Sequence, residues 1–207
     1  VPPRIKSPKQ DLVARRRPMI DDEKFYKLQE HLREQFQKEL AWPLQNVPLK
    51  AEQRFLFYCW IETLEHTGIR PWTSKERAIK MSDIEKRKSN SGEVQLFVKR
   101  NEKGKNYSAP ATRYWIHTLN RLDAFYEARG LKEREWLLCH SRDNVAMGIK
   151  RGDPIASFKT AWNTAIKQLG FNDSELPKNK RFTPYTIRHR VITKMLLENP
   201  ELSLIEI

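Results

Sequence analysis

Apolar residues recur at helical spacing from Asp21 onward. Phe25, Leu28, Leu32, Phe36 and Leu40 fall three and four residues apart, which predicts an amphipathic helix with Asp21 and Asp22 placed to cap its start. The next stretch, "AEQRFLFYCWIETLEHTG", is apolar almost all round and predicts a central buried helix that stops at Gly68. Thr73 and Glu76 fit a capping box, which predicts a short helix through Met81. The period then changes from helical to alternating. Val94, Leu96 and Val98 alternate with Gln95 and Phe97, and "NEKGKN" supplies turn chemistry, so a β-hairpin with a cationic tip is expected. Helical spacing resumes at "ATRYWIHTLNRLDAFYEARG", where Ile116, Leu119, Leu122 and Tyr126 share a face and Gly130 ends the run. A further helix is expected in "GDPIASFKTAWNTAIKQLG", with Asp153 as N-cap, Pro154 at the first helical position and Gly170 past the end. Thr183 and Pro184 repeat that opening before "YTIRHRVITKMLLE". The sum is a mainly α domain with one small antiparallel β-sheet, an α+β fold.

Composition separates the first residues from the rest. Residues 1–18 hold four prolines, six basic residues and one acid, and they have nothing with which to bury a core. They read as a basic linker or arm, a type of segment that usually connects to something, with Arg15, Arg16 and Arg17 either on phosphates or in a solvated tail. Residues 19–207 form the expected domain. The whole chain carries a formal charge of +13, a field that favours a polyanionic partner and says nothing about fold. Cys59 and Cys139 lie far apart in apolar stretches and read as buried thiols of a reducing compartment. No apolar run reaches the roughly 18 residues of a membrane span, and no signal pattern opens the chain, so a cytoplasmic location is expected. Walker, GxGxxG, HExxH and GxSxG motifs are absent, which counts against the motor, Rossmann, zinc-protease and serine-hydrolase classes. No Cys or His spacing suggests a metal.

Three places hold cations that local structure does not call for. Arg70 follows a helix stop in "HTGIRP". Lys99, Arg100, Lys103 and Lys105 decorate the hairpin. Arg188 lies one helical turn after Tyr185 and on the same face, and it stands at a helix start whose dipole already favours an anion. Each has a plain structural alternative: a carbonyl contact at a helix end for Arg70, solvated tip lysines, and a core carboxylate for Arg188.

Taken in order, these segments resemble the tyrosine recombinases, the phage integrase family. "ETLEHTGIRPWTSKERAIKMSDIE" is similar to the family segment that carries its first catalytic arginine, with Thr67-Gly68-Ile69-Arg70 and Asp83-Ile84 matching. "VQLFVKRNEKGKNYSAPA" resembles the hairpin that supplies the family's lysine. "RFTPYTIRHRVITKML" resembles its second box, of the form TP-x-x-x-RH. The resemblance runs from about Pro18 to Ile207 and implies a DNA breaking-rejoining domain. It implies that Arg70 and Arg188 clamp the scissile phosphate of double-stranded DNA and that a hairpin lysine protonates the leaving oxygen. Lys103 is the first choice, with Lys105 and Lys99 as alternatives. It further implies a 3′-phosphotyrosine intermediate, no cofactor, no required metal, and a tetramer on paired duplexes.

Two departures qualify the match. The family has histidine, sometimes lysine, where this chain has Tyr185, and a phenol of pKa about 10 hydrogen-bonds a phosphate but is no base near neutral pH. Tyr185 as nucleophile would be out of place for the family. His189 completes the box and is expected to pack as support under the site. The chain stops at "NPELSLIEI", before the family's later histidine or tryptophan and its nucleophilic tyrosine, so as written it is expected not to cut DNA. The acid usual after the first arginine is out of register; Glu76 is nearest. Competing readings are a non-catalytic DNA-binding protein on the same scaffold and a helical RNA-binding or assembly module. Type IB topoisomerases share the chemistry, but the phage-type boxes fit better.

Overall fold

The computed structural model describes residues 18–40, 47–88, 92–102, 104–172, 175–177 and 180–198. Five helices, α1 (Asp22–Leu40), α2 (Leu49–Thr67), α3 (Trp115–Glu127), α4 (Lys159–Gln168) and α5 (Tyr185–Glu198), accompany three strands, β1 (Ile84–Lys88), β2 (Val94–Glu102) and β3 (Lys105–Pro110). The basic segment 1–17, the tip residue Lys103 and the last residues, 199–207, lie outside the described residues.

Helix α2 is the axis of the domain. Its sequence is apolar on every side because α1, α3 and α5 all pack against it. Phe36 of α1 meets Tyr58 at 4.9 Å between ring centroids, and Phe55 meets Phe125 of α3 at 4.9 Å. Beyond α2, Trp60 packs on Phe158 at 5.2 Å and edge-on to Trp72 at 5.9 Å. Both cysteines are buried free thiols in this core, and burial raises their pKa values. No described helix is long and apolar enough to cross a membrane.

The expected starts and stops hold for the periodic helices. Asp21 Oδ1 accepts the Lys24 backbone N–H at 2.8 Å and caps α1. Gly68 ends α2 at φ 59°, its N–H bonded to Leu64 O at 2.9 Å. A Cβ at Gly68 would stand 3.0 Å from Val191 Cγ1 of α5, so the glycine serves both the left-handed turn and the approach of α5. Gly170 also has a positive φ, 66°, but nothing lies within 4 Å of a Cβ there. Gly68→Ala is therefore expected to cost about 2 kcal/mol against about 1 for Gly170→Ala. Urea melts of the two variants check the order; equal losses would show that the α2–α5 approach is not tight.

The sheet has the order β1-β2-β3, antiparallel throughout, with Ile84 opposite Val98 and Lys99 opposite Ser108. The hairpin of β2 and β3 is as expected; β1 is an addition. Leu96 and Val98 are buried on the inner face, as the alternation requires.

Three local expectations are corrected. No helix runs from Thr73 to Met81: two 3₁₀ turns, Lys75–Arg77 and Met81–Asp83, flank extended backbone. That backbone is taken up elsewhere, since Leu137 N–H bonds Ile79 O and Met81 N–H bonds Glu135 O, each at 2.8 Å. Asp153 and Pro154 open no helix. Ile155 N–H bonds Leu138 O at 3.1 Å, Trp72 Nε1 bonds Ile155 O at 3.0 Å, and α4 begins only at Lys159. Asp153 Oδ2 instead accepts the Lys150 N–H at 2.9 Å. Thr183 stands before α5 but caps with its carbonyl rather than its hydroxyl, which is buried and has no partner among the described residues.

Candidate nucleic-acid interface

The C-terminal end of α2 positions the first candidate. Beyond Gly68, Ile69 and Trp72 are buried and anchor a short connection from which Arg70 emerges half-buried. Strand β2 supplies the second cation. Its inward-facing positions run Leu96, Val98, Arg100, so the arginine is carried to the inner edge of the sheet, where it is buried and Nη2 donates to Arg77 O at 2.8 Å. The start of α5 supplies Tyr185. These converge on a cleft of about 150 Å³ lined by Arg70, Pro71, Trp72, Arg77, Arg100, Asn101 and Tyr185. Three arginines and no carboxylate line it, so its walls favour an anion.

Arg188 lies one turn along α5 from Tyr185. Its Nη1 donates to the carbonyl of Gly68, two residues before Arg70. Arg188 thereby makes a carbonyl contact at the negative end of α2. A guanidinium has five N–H donors, and a single carbonyl leaves the others for a second acceptor.

A wider cleft of about 740 Å³ adjoins the first and shares Arg77, Arg100 and Asn101 with it. Lys80 and Lys99 line it, together with Asp83 and Glu76. Lys99 Nζ is paired with Glu85 Oε1 across the sheet at 2.5 Å, and hydrogen bonds from Lys99 and Arg87 hold Glu85 below the ordinary carboxylate range. Both partners are solvated, so this pair adds little stability. Lys105 is exposed at the start of β3, in register with Glu102. Lys103, Arg15, Arg16 and Arg17 lie outside the described residues. Among the described residues, no group of three or more His, Cys, Asp or Glu side chains could hold a metal ion.

The three basic residues of "RHR" have different fates. His189 is exposed on α5, not packed beneath the site as expected. The buried place is held by Arg190, whose side chain is only 2% exposed. Arg190 Nε donates to Asp22 Oδ1 at 2.8 Å, Nη1 donates to Glu65 Oε1, and the guanidinium lies 4.3 Å over the Phe25 ring. Burial opposes its charge, but Glu65 and Asp22 outweigh burial and raise its pKa above the ordinary guanidinium value.

The residues that sequence reasoning missed at the cleft are Arg77 and Asn101. The first sits on a 3₁₀ turn where the sequence pattern predicts a helix; the second needs the hairpin's docking to reach the cleft. No family model and no curated protein matches this chain.

Proposed function

We propose that this chain is the catalytic domain of an integrase-type DNA recombinase, with its arginine cleft receiving a backbone phosphate of duplex DNA. The observation that carries the reading is the cleft itself, where Arg70, Arg100 and Tyr185 meet without a carboxylate and Arg188 braces the segment bearing Arg70. In phosphoryl transfer, charge gathers on the two non-bridging oxygens of a five-coordinate phosphorus. The planar fork of arginine holds two such oxygens at once. In this reading Arg70 and Arg188 take those oxygens, Arg100 and Arg77 deepen the field, and the positive end of the α5 dipole adds to it. Tyr185 donates a hydrogen bond to the phosphate. A lysine of the hairpin (Lys103, or Lys105 or Lys99) protonates the departing 5′-oxygen. In this reading the family's attacking tyrosine has no counterpart in the segments that resemble it, and the chain as written does not cut DNA.

One observation favours a second reading, a DNA-binding protein on the same scaffold without strand cleavage. Tyr185 occupies the place of the family's base, and a phenol does not take up a proton near neutral pH.

Both readings predict salt-sensitive duplex binding. Each phosphate neutralised contributes about −0.9 to the slope of log affinity against log salt, and a slope of about −4 or steeper is expected for a cleft and groove of this charge. Fluorescence anisotropy of a labelled 30-base-pair duplex between low and moderate salt measures it. A flat dependence, or no binding at low salt, rules out both.

A further inference from the structure

The segment between Cys139 and Pro154 forms a narrow finger that the proposed cleft does not use. At its base, His140 N–H bonds Asp153 O at 2.9 Å and Gly152 N–H bonds His140 O at 2.7 Å. Near its tip, Asn144 and Ile149 exchange both backbone hydrogen bonds, at 2.8 and 3.0 Å. The tip is a single 3₁₀ turn, Val145–Met147, closed by Gly148 at φ 61° and capped by Asn144 Oδ1 on Met147 N–H. Val145 is 91% exposed and Met147 71% exposed. This is a backbone-bonded loop that holds two apolar side chains out in water, where isolated apolar groups gain nothing.

The shoulders of the finger are cationic. Arg142, Lys150 and Arg151 flank the tip against one acid, Asp143. Arg142 is anchored to Val47 O and Glu52, and Arg151 to Arg129 O, so the shoulders are fixed to the body of the domain. Asp153, at the root, lies 3.9 Å from Lys75, in the turn that carries Arg77 of the cleft. The root of the finger is therefore joined to the turn that carries Arg77, while its Arg142 shoulder is held at the start of α2.

An apolar tip between positive shoulders matches a partner that is anionic outside and apolar within. Duplex DNA has that profile: phosphates at the groove edges and stacked bases between them. A second copy of this chain does not, because each copy carries +13 and like charges repel.

We propose that the Asn144–Ile149 finger is a second DNA contact, an apolar wedge that enters the minor groove and opens a base step, with Arg142, Lys150 and Arg151 on the flanking phosphates. This rests on the duplex-binding reading above. The test compares the wild-type chain with Val145→Ser/Met147→Ser on a 30-base-pair duplex carrying a fluorophore at each end. Wild type is expected to shorten the end-to-end distance on binding. The variant is expected to bind about tenfold more weakly with an unchanged salt slope and to leave the duplex straight. Its tip is solvated, so its thermal melt should match wild type. A variant that bends and binds DNA as wild type does overturns the wedge and leaves the cleft reading standing. A wild type that dimerises without DNA, and a variant that sediments as a monomer, would assign the tip to self-association instead. A wild type that binds no duplex overturns the wedge together with the function on which it rests.

Discussion

Arg190→Met is expected to lower the stability of the domain by about 3 kcal/mol, the low end of the cost of breaking a buried ion pair from one side. Methionine keeps much of the length and the packing on Phe25, so the loss isolates the charge. What remains is Glu65, 18% exposed, without its guanidinium. Asp22 is 54% exposed and adds little, since water screens it and Lys194 still faces it at 3.2 Å. At roughly 2–4 °C per kcal/mol for a chain of this size, the melting temperature should fall by about 10 °C. Circular dichroism during heating measures it. Changing both partners, Glu65→Leu with Arg190→Met, should recover much of the loss because no buried charge is stranded. A single variant that melts within a degree or two of wild type would mean that the pair does not hold α5 to α1 and α2. Where it remains folded, Arg190→Met should bind DNA as wild type does, because its guanidinium lies among Phe25, Asp22 and Glu65 rather than at the cleft.

That outcome bears on how "RHR" is to be read. Three cations in a row look like one basic cluster, but an α-helix turns about 100° per residue, so residues 188 and 190 point to nearly opposite sides. Arg190 shares a face with buried Thr186 and Ile187, and the period alone separates it from Arg188. The helical period carries this signal, although the match to the family box put His189 in the buried place instead. The arginine on the inner edge of β2 was legible in the same way, since Leu96, Val98 and Arg100 keep one alternation.

Other features were not legible, for physical reasons. Helices α1, α2 and α3 announce themselves because their own residues bury a face, and Gly68 and Gly130 end α2 and α3 through a local backbone conformation. Strand β1, "IEKRK", carries one apolar residue and pairs with β2 through backbone groups and the Glu85–Lys99 contact. Nothing in its own pattern marks it. The segments at Thr73 and Asp153 have helix-opening residues, yet partners more than 50 residues away in one case, and 13 and 17 in the other, take their backbone hydrogen bonds. Local propensity yields to such pairing. The same holds for the cleft. Arg70 and Tyr185 were identified by motif, whereas Arg77 joins them only because the 75–77 turn docks against β2; Arg188, from the same motif, is held on Gly68 O and does not line the cleft.

The central claim is that Arg70 and Arg188 hold one phosphate. A charge-assisted hydrogen bond is worth about 1.5–3 kcal/mol, so Arg70→Ala should weaken duplex binding roughly 10- to 100-fold. Arg70→Ala/Arg188→Ala should weaken it several hundred-fold if the two act on the same group. Arg188→Ala also releases Gly68 O, which costs about 1 kcal/mol of stability, so each variant is first shown to be folded by its melt. Lys132→Ala is the control, since Lys132 is exposed, remote from the cleft and paired with Glu127 at 2.8 Å. The direct measurement is the anisotropy titration of one labelled duplex by wild type, Arg70→Ala/Arg188→Ala and Lys132→Ala at a single low salt concentration. The account predicts near-complete loss of affinity for the double variant and little change for the control. Duplex binding that survives in the folded double variant would contradict the phosphate clamp and leave only diffuse attraction between a basic surface and a polyanion.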